Sequence, residues 1–178
     1  MFKKSILFAV ILLCMMSSSL EAKRRSFFAQ GNVRVALNTG IVNSLNGNAP
    51  YMNVGAGFGY FFKKGIESGI QGNFLFGSNP NFYMVTGHVT AFWLSLSKTI
   101  KPYGGLFVRN LKAGGGKEFD HLEYLSVGAR LGIYYVPRRS NFYMGGGIAG
   151  EHRLTCNSKD KDIKCDFLYP EIQMGFVF

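Results

Sequence analysis

The strongest constraint in this sequence is a two-residue alternation that recurs along the chain, with apolar bulk on one side and glycine or charge on the other. From Met52 to Phe62, Met52, Val54, Ala56, Phe58, Tyr60 and Phe62 alternate with Asn53, Gly55, Gly57 and Gly59. Period two sends successive side chains to opposite faces of an extended strand, so each strand must separate an apolar medium from a different one. Seven further strands follow the same rule. Val33, Val35 and Leu37 oppose Asn32, Arg34, Ala36 and Asn38, and Ile66, Ile70, Phe74 and Phe76 oppose Glu67, Gly69, Gln71 and Asn73. Tyr83, Val85, Val89 and Trp93 oppose Thr86, His88 and Thr90, although Phe92, Leu94 and Leu96 pull that strand the other way. Leu106 and Val108 oppose Tyr103, Phe107 and Arg109, while Leu125, Val127, Leu131 and Ile133 oppose Tyr124, Ser126, Gly128 and Arg130. Phe142, Met144 and Ile148 oppose Tyr143, Gly145, Gly147 and Glu151, and Pro170, Ile172, Met174 and Phe176 oppose Tyr169, Glu171, Gln173 and Gly175.

The polarity of the faces decides what kind of sheet this is. A small soluble barrel buries its apolar face, yet here that would leave the other face's charges on the outside only if the apolar face filled the interior. The apolar faces carry no Lys or Arg in mid-strand. The opposite faces hold Arg34, Glu67, His88, Arg109, Arg130, Glu151 and Glu171 among many glycines. A dry core of such charges is opposed by desolvation, whereas a polar lumen lets them pair. The expected fold is all-β, an eight-stranded antiparallel up-and-down transmembrane β-barrel. Short connections near 63–65, 97–101 and 137–141 alternate with longer ones near 39–50, 112–121 and 153–166, the pattern of bacterial membrane barrels. The connection near 77–81 is short where a long one belongs.

Eight strands leave an interior that side chains fill. Glycines 55, 57, 59, 128, 132, 145 and 147 are therefore expected to make room for Tyr124, Tyr134 and Tyr143. Aromatic residues near strand ends (Tyr51, Tyr60, Phe61, Phe62, Phe74, Phe76, Phe82, Tyr83, Trp93, Tyr103, Tyr134, Tyr135, Phe142, Phe167) read as interfacial girdles, though a sandwich core would also use them. Arg34 and Glu171 lie on the first and last strands, and an ion pair is expected there. Arg109, Arg130, Glu67 and Glu151 extend the lumen charge network.

The first 22 residues are a different unit. Lys3 and Lys4 open it, Ile6 to Met16 is an apolar run of eleven residues, and Ser17-Ser18-Ser19-Leu20-Glu21-Ala22 offers cleavage positions. This is the three-part pattern of a signal peptide, and the run falls short of the ~20 residues a helical anchor needs. Cleavage is expected after Ala22, although Leu20 is large for its position; Leu13 before Cys14 is too large for a lipoprotein signal. The expected domains are a signal peptide at 1–22 and a barrel at 23–178. Losing Lys3, Lys4 and Glu21 from 20 basic and 10 acidic residues leaves 18 against 9, a net charge of +9. Such basicity suits nucleic acid, membrane phosphates or plain solubility, and export argues against nucleic acid. Cys156 and Cys165 survive cleavage with eight residues between them. In an oxidising compartment the pair reads as a disulfide, the alternative being two free thiols in a loop.

The segment Tyr169 to Phe178, with Ile172, Met174, Phe176 and a final Phe178, resembles the C-terminal recognition strand of bacterial outer-membrane β-barrel proteins. Pro102-Tyr103-Gly104-Gly105-Leu106 resembles a strand start in the small OmpA/OmpX-type barrels. The resemblance implies an outer-membrane location and delivery by the barrel-assembly machinery, which reads the last phenylalanine. It also implies contact with outer-membrane lipids and lipopolysaccharide; with the sequence stopping at Phe178, a free-standing barrel with no periplasmic domain is expected. Function in such barrels ranges from a structural, envelope-integrity or surface-interaction role through the external loops to a porin-like narrow channel.

No catalytic residue, metal site or cofactor is expected. Gly114-Gly115-Gly116-Lys117 lacks the spacing, the following Ser or Thr and the helix of a phosphate loop. His88, His121 and His152 are too scattered for a zinc site. Some barrels of this family are lipid A deacylases or acyltransferases, and His152 near an external strand end keeps that alternative open, without a paired His-x-Ser motif. The loop 153–166, with Lys159, Lys161, Lys164, Asp160, Asp162 and Asp166, reads as a solvated surface loop open to a surface partner.

Overall fold

The computed structural model describes residues 26–42, 51–77, 81–114, 123–138, 140–154 and 165–178. The expected signal peptide at 1–22, most of the long connections and Cys156 lie outside them. Eight strands follow in chain order: β1 (Val33–Val42), β2 (Tyr51–Lys63), β3 (Ile66–Phe76), β4 (Asn81–Phe92), β5 (Ile100–Gly114), β6 (Glu123–Tyr135), β7 (Phe142–Arg153) and β8 (Asp166–Val177). Each pairs antiparallel with its sequence neighbour, and β1 pairs with β8 to close the barrel. Closure leaves no strand edge unpaired, which is the condition for a sheet to stand in lipid. Both ends of the described chain lie at one rim with the β2–β3, β4–β5 and β6–β7 turns. The other rim carries the connections outside the described residues.

The alternation seen in the sequence is the alternation of burial. Along β4, Phe82, Met84, Thr86, His88, Thr90 and Phe92 are buried while Tyr83, Val85, Gly87, Val89 and Ala91 are exposed. Phe92 therefore continues the inward face of β4, and Trp93 the outward one. The barrel as a whole is inverted relative to a soluble protein. Among the described residues thirty large hydrophobic side chains are exposed, Leu106 at 69%, Leu131 at 64% and Ile172 at 52% among them. Arg34, Glu67, Arg109 and Arg130 are buried within.

The closing seam is the shortest ladder, running only from Arg34↔Val177 to Gly40↔Glu171. It is also intolerant of bulk. A Cβ added at Gly175 would sit 1.9 Å from the Val35 backbone oxygen, so the strands themselves would have to part. Gly175→Ala is expected to lower stability by roughly 1–3 kcal/mol, the usual range for overpacking. A denaturant midpoint unchanged from the parent would show that the seam yields more easily than this.

At the turn rim the residues before β1 fold back into the barrel mouth. Phe28 is buried, its ring centroid 4.8 Å from Phe92 and 5.8 Å from Phe61, and Phe27 packs edge-on to Tyr143 at 5.9 Å. The backbone holds this plug in place, with Gly31 N–H donating to Phe61 O and Gly65 N–H donating to Phe28 O. Gly65 adopts φ +75° in the two-residue turn between Lys63 and Ile66, a conformation that favours glycine.

Candidate functional site

Among the described residues the lumen is where chemically active side chains from many strands gather, and it has three layers. The turn end is filled by Phe28, Phe61, Phe92, Tyr103, Tyr134 and Tyr143 with their neighbours. The opposite end is filled by Tyr51, Leu75, Phe82, Met84, Phe107 and Leu111, with Tyr124 and Phe167 against them. Between the two lie the charges. Tyr51, Phe61 and Phe82, expected in the girdles, thus close the lumen together with Tyr103 and Tyr134, which the sequence pattern places both among the girdle rings and on an inward face. Rings at strand ends of either parity look alike in sequence, and parity sends these five inward. Tyr60, Phe62, Tyr83, Trp93 and Tyr135 do face outward.

Arg34 is the hub. Its Nη1 donates to the hydroxyls of Tyr134 (3.0 Å) and Tyr143 (2.9 Å) and to Gln173 Oε1 (3.1 Å). Its Nη2 meets Glu67 Oε1 at 2.5 Å, and His88 Nε2 lies 3.1 Å from the same oxygen. Tyr134 also donates to Gln173 Oε1. One guanidinium therefore links β1 to β3, β6, β7 and β8, with β4 joined through Glu67. The expected pair of Arg34 with Glu171 does not form. Register explains why: Arg34 stands opposite Val177, and Glu171 stands opposite Gly40, six residues further along β1. At ~3.3 Å per residue that is about 20 Å of strand.

Glu171 instead approaches Arg130 at 3.9 Å and accepts from the Tyr103 hydroxyl at 3.3 Å. Arg130 donates to Thr90 Oγ1 at 3.1 Å and to Gln71 Oε1 at 3.4 Å. Arg109 donates to Glu151 and to the Tyr169 hydroxyl through Nη1, and to Thr86 Oγ1 at 3.0 Å through Nε. Its guanidinium also lies over the Phe107 ring, 4.7 Å from the centroid. In mid-lumen three arginines thus face three glutamates, with His88 between, and a fourth inward arginine, Arg153, stands at the end of β7.

Glycines decide which charges meet. Glu67 on β3 reaches Arg34 across β2 because it lies over Gly59, where a Cβ would come within 2.6 Å of its carboxyl carbon. His88 lies over Gly69 in the same sense, toward β1. On the other half of the barrel Tyr103 lies over Gly132, and Tyr134 over Gly145, toward β8. The two sets of side chains lean in opposite directions around the wall and converge on the β1–β8 seam. Of the three tyrosines expected to use the lumen glycines, Tyr134 lies over Gly145, while Gly132 and Gly128 are covered by Tyr103 and Phe107.

Outside the lumen, Ile172, Met174, Phe176 and Phe178 share the outward face of the last strand. Tyr169 is on the other face and belongs to the Arg109–Glu151 cluster. His152 Nδ1 lies 2.8 Å from Asp166 Oδ1 on the exposed surface near the end of β7. No serine or threonine side chain among the described residues hydrogen-bonds to His152, and no three His, Cys, Asp or Glu residues among them group as a metal site. Arg153, by contrast, is on the inward face of β7 and is buried at the far end of the lumen between the rings of Tyr124 and Phe167, 4.4 Å from each centroid.

No family model and no curated sequence matches this chain. Solved structures do. The N-terminal β-barrel domain of Pseudomonas aeruginosa OprF superposes with a TM-score of 0.63 at 13% identity, covering 84% of this chain and 98% of that one. Neisserial surface protein A superposes with a TM-score of 0.55 at 15% identity, covering 82% and 94%. The chain has the fold of the small eight-stranded outer-membrane barrels.

Proposed function

We propose that the chain is a sealed outer-membrane barrel, non-enzymatic, with a structural, envelope-integrity or surface-interaction role carried by its external loops. The observation that supports this reading is the filling of the lumen: apolar clusters stop both ends, and paired charges occupy the belt between them. A conducting path needs a wetted, weakly binding line of sites, and two dry stoppers in series oppose one. The outward face, apolar over its middle, is the part that would meet lipid and lipopolysaccharide. The last strand, with Ile172, Met174, Phe176 and Phe178 aligned outward, is the segment the barrel-assembly machinery would read. Export by a leader cleaved after Ala22 and a Cys156–Cys165 disulfide belong to the same reading; the mass of the mature protein before and after thiol labelling tests both.

Planar-bilayer recording tests the seal. The folded protein is expected to show no stable open level, and Arg34→Ala is expected to leave it closed while the aromatic stoppers remain. A large, long-lived conductance in the parent protein would replace this reading with a channel. One observation favours a second reading, a lipid A-modifying enzyme: the exposed His152–Asp166 pair provides a carboxylate-oriented imidazole. Release of fatty acid from purified lipid A, abolished by His152→Ala, would establish it.

A further inference from the structure

Among the described residues the exposed positive charge is unevenly placed. At the turn rim each hairpin carries exposed cations: Lys63 and Lys64 at β2–β3, Lys98 at β4–β5, and Arg138 at β6–β7. No Asp or Glu side chain is exposed there among the described residues. The nearest, Glu67, is fully buried in the lumen and paired with Arg34. At the opposite rim the signs are mixed: Lys112 stands opposite Glu123, and His152 contacts Asp166. Lys101 plays a different part at the turn rim, since its buried ammonium donates to the Leu94 and Ser97 carbonyls and braces the turn that presents Lys98.

The depth of these cations identifies what they meet. Outward rings ring the same rim: Tyr60, Phe62, Trp93, Tyr135, Phe176 and Phe178. Such rings settle at the headgroup level of a bilayer. Lys63 follows Phe62 directly, Arg138 follows Tyr135 by three residues and Lys98 follows Trp93 by five, in connections of two, six and seven residues respectively. The charges therefore lie at or just beyond the rings, at phosphate depth, and do not project far enough to hold a soluble partner clear of the surface. We propose that the turn rim is a binding surface for anionic phospholipid headgroups, which it enriches over zwitterionic ones in the adjoining leaflet. The proposal rests on the membrane-barrel reading and adds a lipid selectivity to it.

Trp93 makes the test direct, because it is the single tryptophan of the chain and faces outward at this rim. The folded protein is reconstituted in vesicles of equal parts phosphatidylglycerol and phosphatidylcholine, with bromine on the acyl chains of one lipid or the other. Both leaflets have the same composition, so insertion direction does not matter. A basic residue near an anionic surface is worth roughly a fivefold preference. Brominated phosphatidylglycerol is accordingly expected to quench Trp93 as though enriched about fivefold beside it. The variant carrying K63Q, K64Q, K98Q and R138Q should be quenched equally by both lipids, and K112Q should behave as the parent. In the parent itself, about 1 M salt, where the screening length is roughly 3 Å, should also abolish the preference. Equal quenching in the parent at low salt, or a preference that survives both the substitutions and salt, overturns the proposal. Absence of quenching by either lipid overturns the membrane reading beneath it.

Discussion

Glu67→Ala is expected to remove about 3–5 kcal/mol of unfolding free energy, because it leaves the Arg34 guanidinium charged and buried without its anion. Both partners are sealed from solvent, at 2% and 0% side-chain exposure, and the contact is 2.5 Å. The remaining partners of Arg34, the hydroxyls of Tyr134 and Tyr143 and the amide oxygen of Gln173, are neutral and offset only part of the lost charge pairing. Position sharpens the effect. Arg34 and Gln173 sit on the two strands of the shortest ladder, and their common network ties that seam to β3, β6 and β7. Denaturant unfolding in lipid vesicles, followed by Trp93 fluorescence, measures the loss. Glu171→Ala provides the contrast, since its contact with Arg130 is 3.9 Å and its side chain is 12% exposed. Replacing both members of the first pair, as Arg34→Met with Glu67→Leu, should restore much of the loss, because buried pairs rarely outperform well-packed apolar substitutes. A Glu67→Ala midpoint within about 1 kcal/mol of the parent would mean that water reaches Arg34 and that the seam does not depend on the pair.

The fold was legible in the sequence because period two has one structural meaning, and because charge on the glycine-bearing faces has few places to go. Facing was readable strand by strand, even in β4, where Phe92 looked discordant. Phe92 belongs to the inward face because it stacks with Phe28 and Phe61 in the stopper at the turn end. What alternation does not encode is stagger. Arg34 and Glu171 face the same lumen, but the offset of β1 against β8 separates them. Nor does alternation encode lean: Glu67 finds Arg34 only because Gly59 leaves its path open. A cue existed in the sequence, since glycines on inward faces sit beside long side chains of the next strand, but it needs the register to be used. The Phe27–Phe28 plug had no cue of this kind. It lies before the first strand in a segment without periodicity, and only the closed barrel provides the mouth that it fills.

The outer surface carries the other large effect. Leu106→Arg is expected to destabilise the bilayer-inserted protein by about 2–4 kcal/mol, the range for an arginine at the midplane of a lipid-facing strand. Leu106 lies near the middle of β5, is 69% exposed, and is flanked in the ladders by Val89 and Ala129, so no neighbouring polar group can receive the charge. The direction of the effect depends wholly on the solvent outside the barrel. In water, exchanging so exposed a leucine for arginine would change stability by a few tenths of a kcal/mol at most, the usual range for surface positions. In lipid the guanidinium must either snorkel along the strand or draw water into the bilayer, and both are costly. Lys63→Leu runs the experiment in reverse at the turn rim and should alter stability little, because that side chain already stands at headgroup level. Unfolding both variants from vesicles gives the depth dependence directly. A large loss at Leu106 beside a small change at Lys63 locates the hydrocarbon layer on the middle of the strands. Equal, small changes at both positions would mean that water, not lipid, surrounds the thirty exposed hydrophobic side chains, and a fold inverted in this way would then have no solvent in which its outer face is stable.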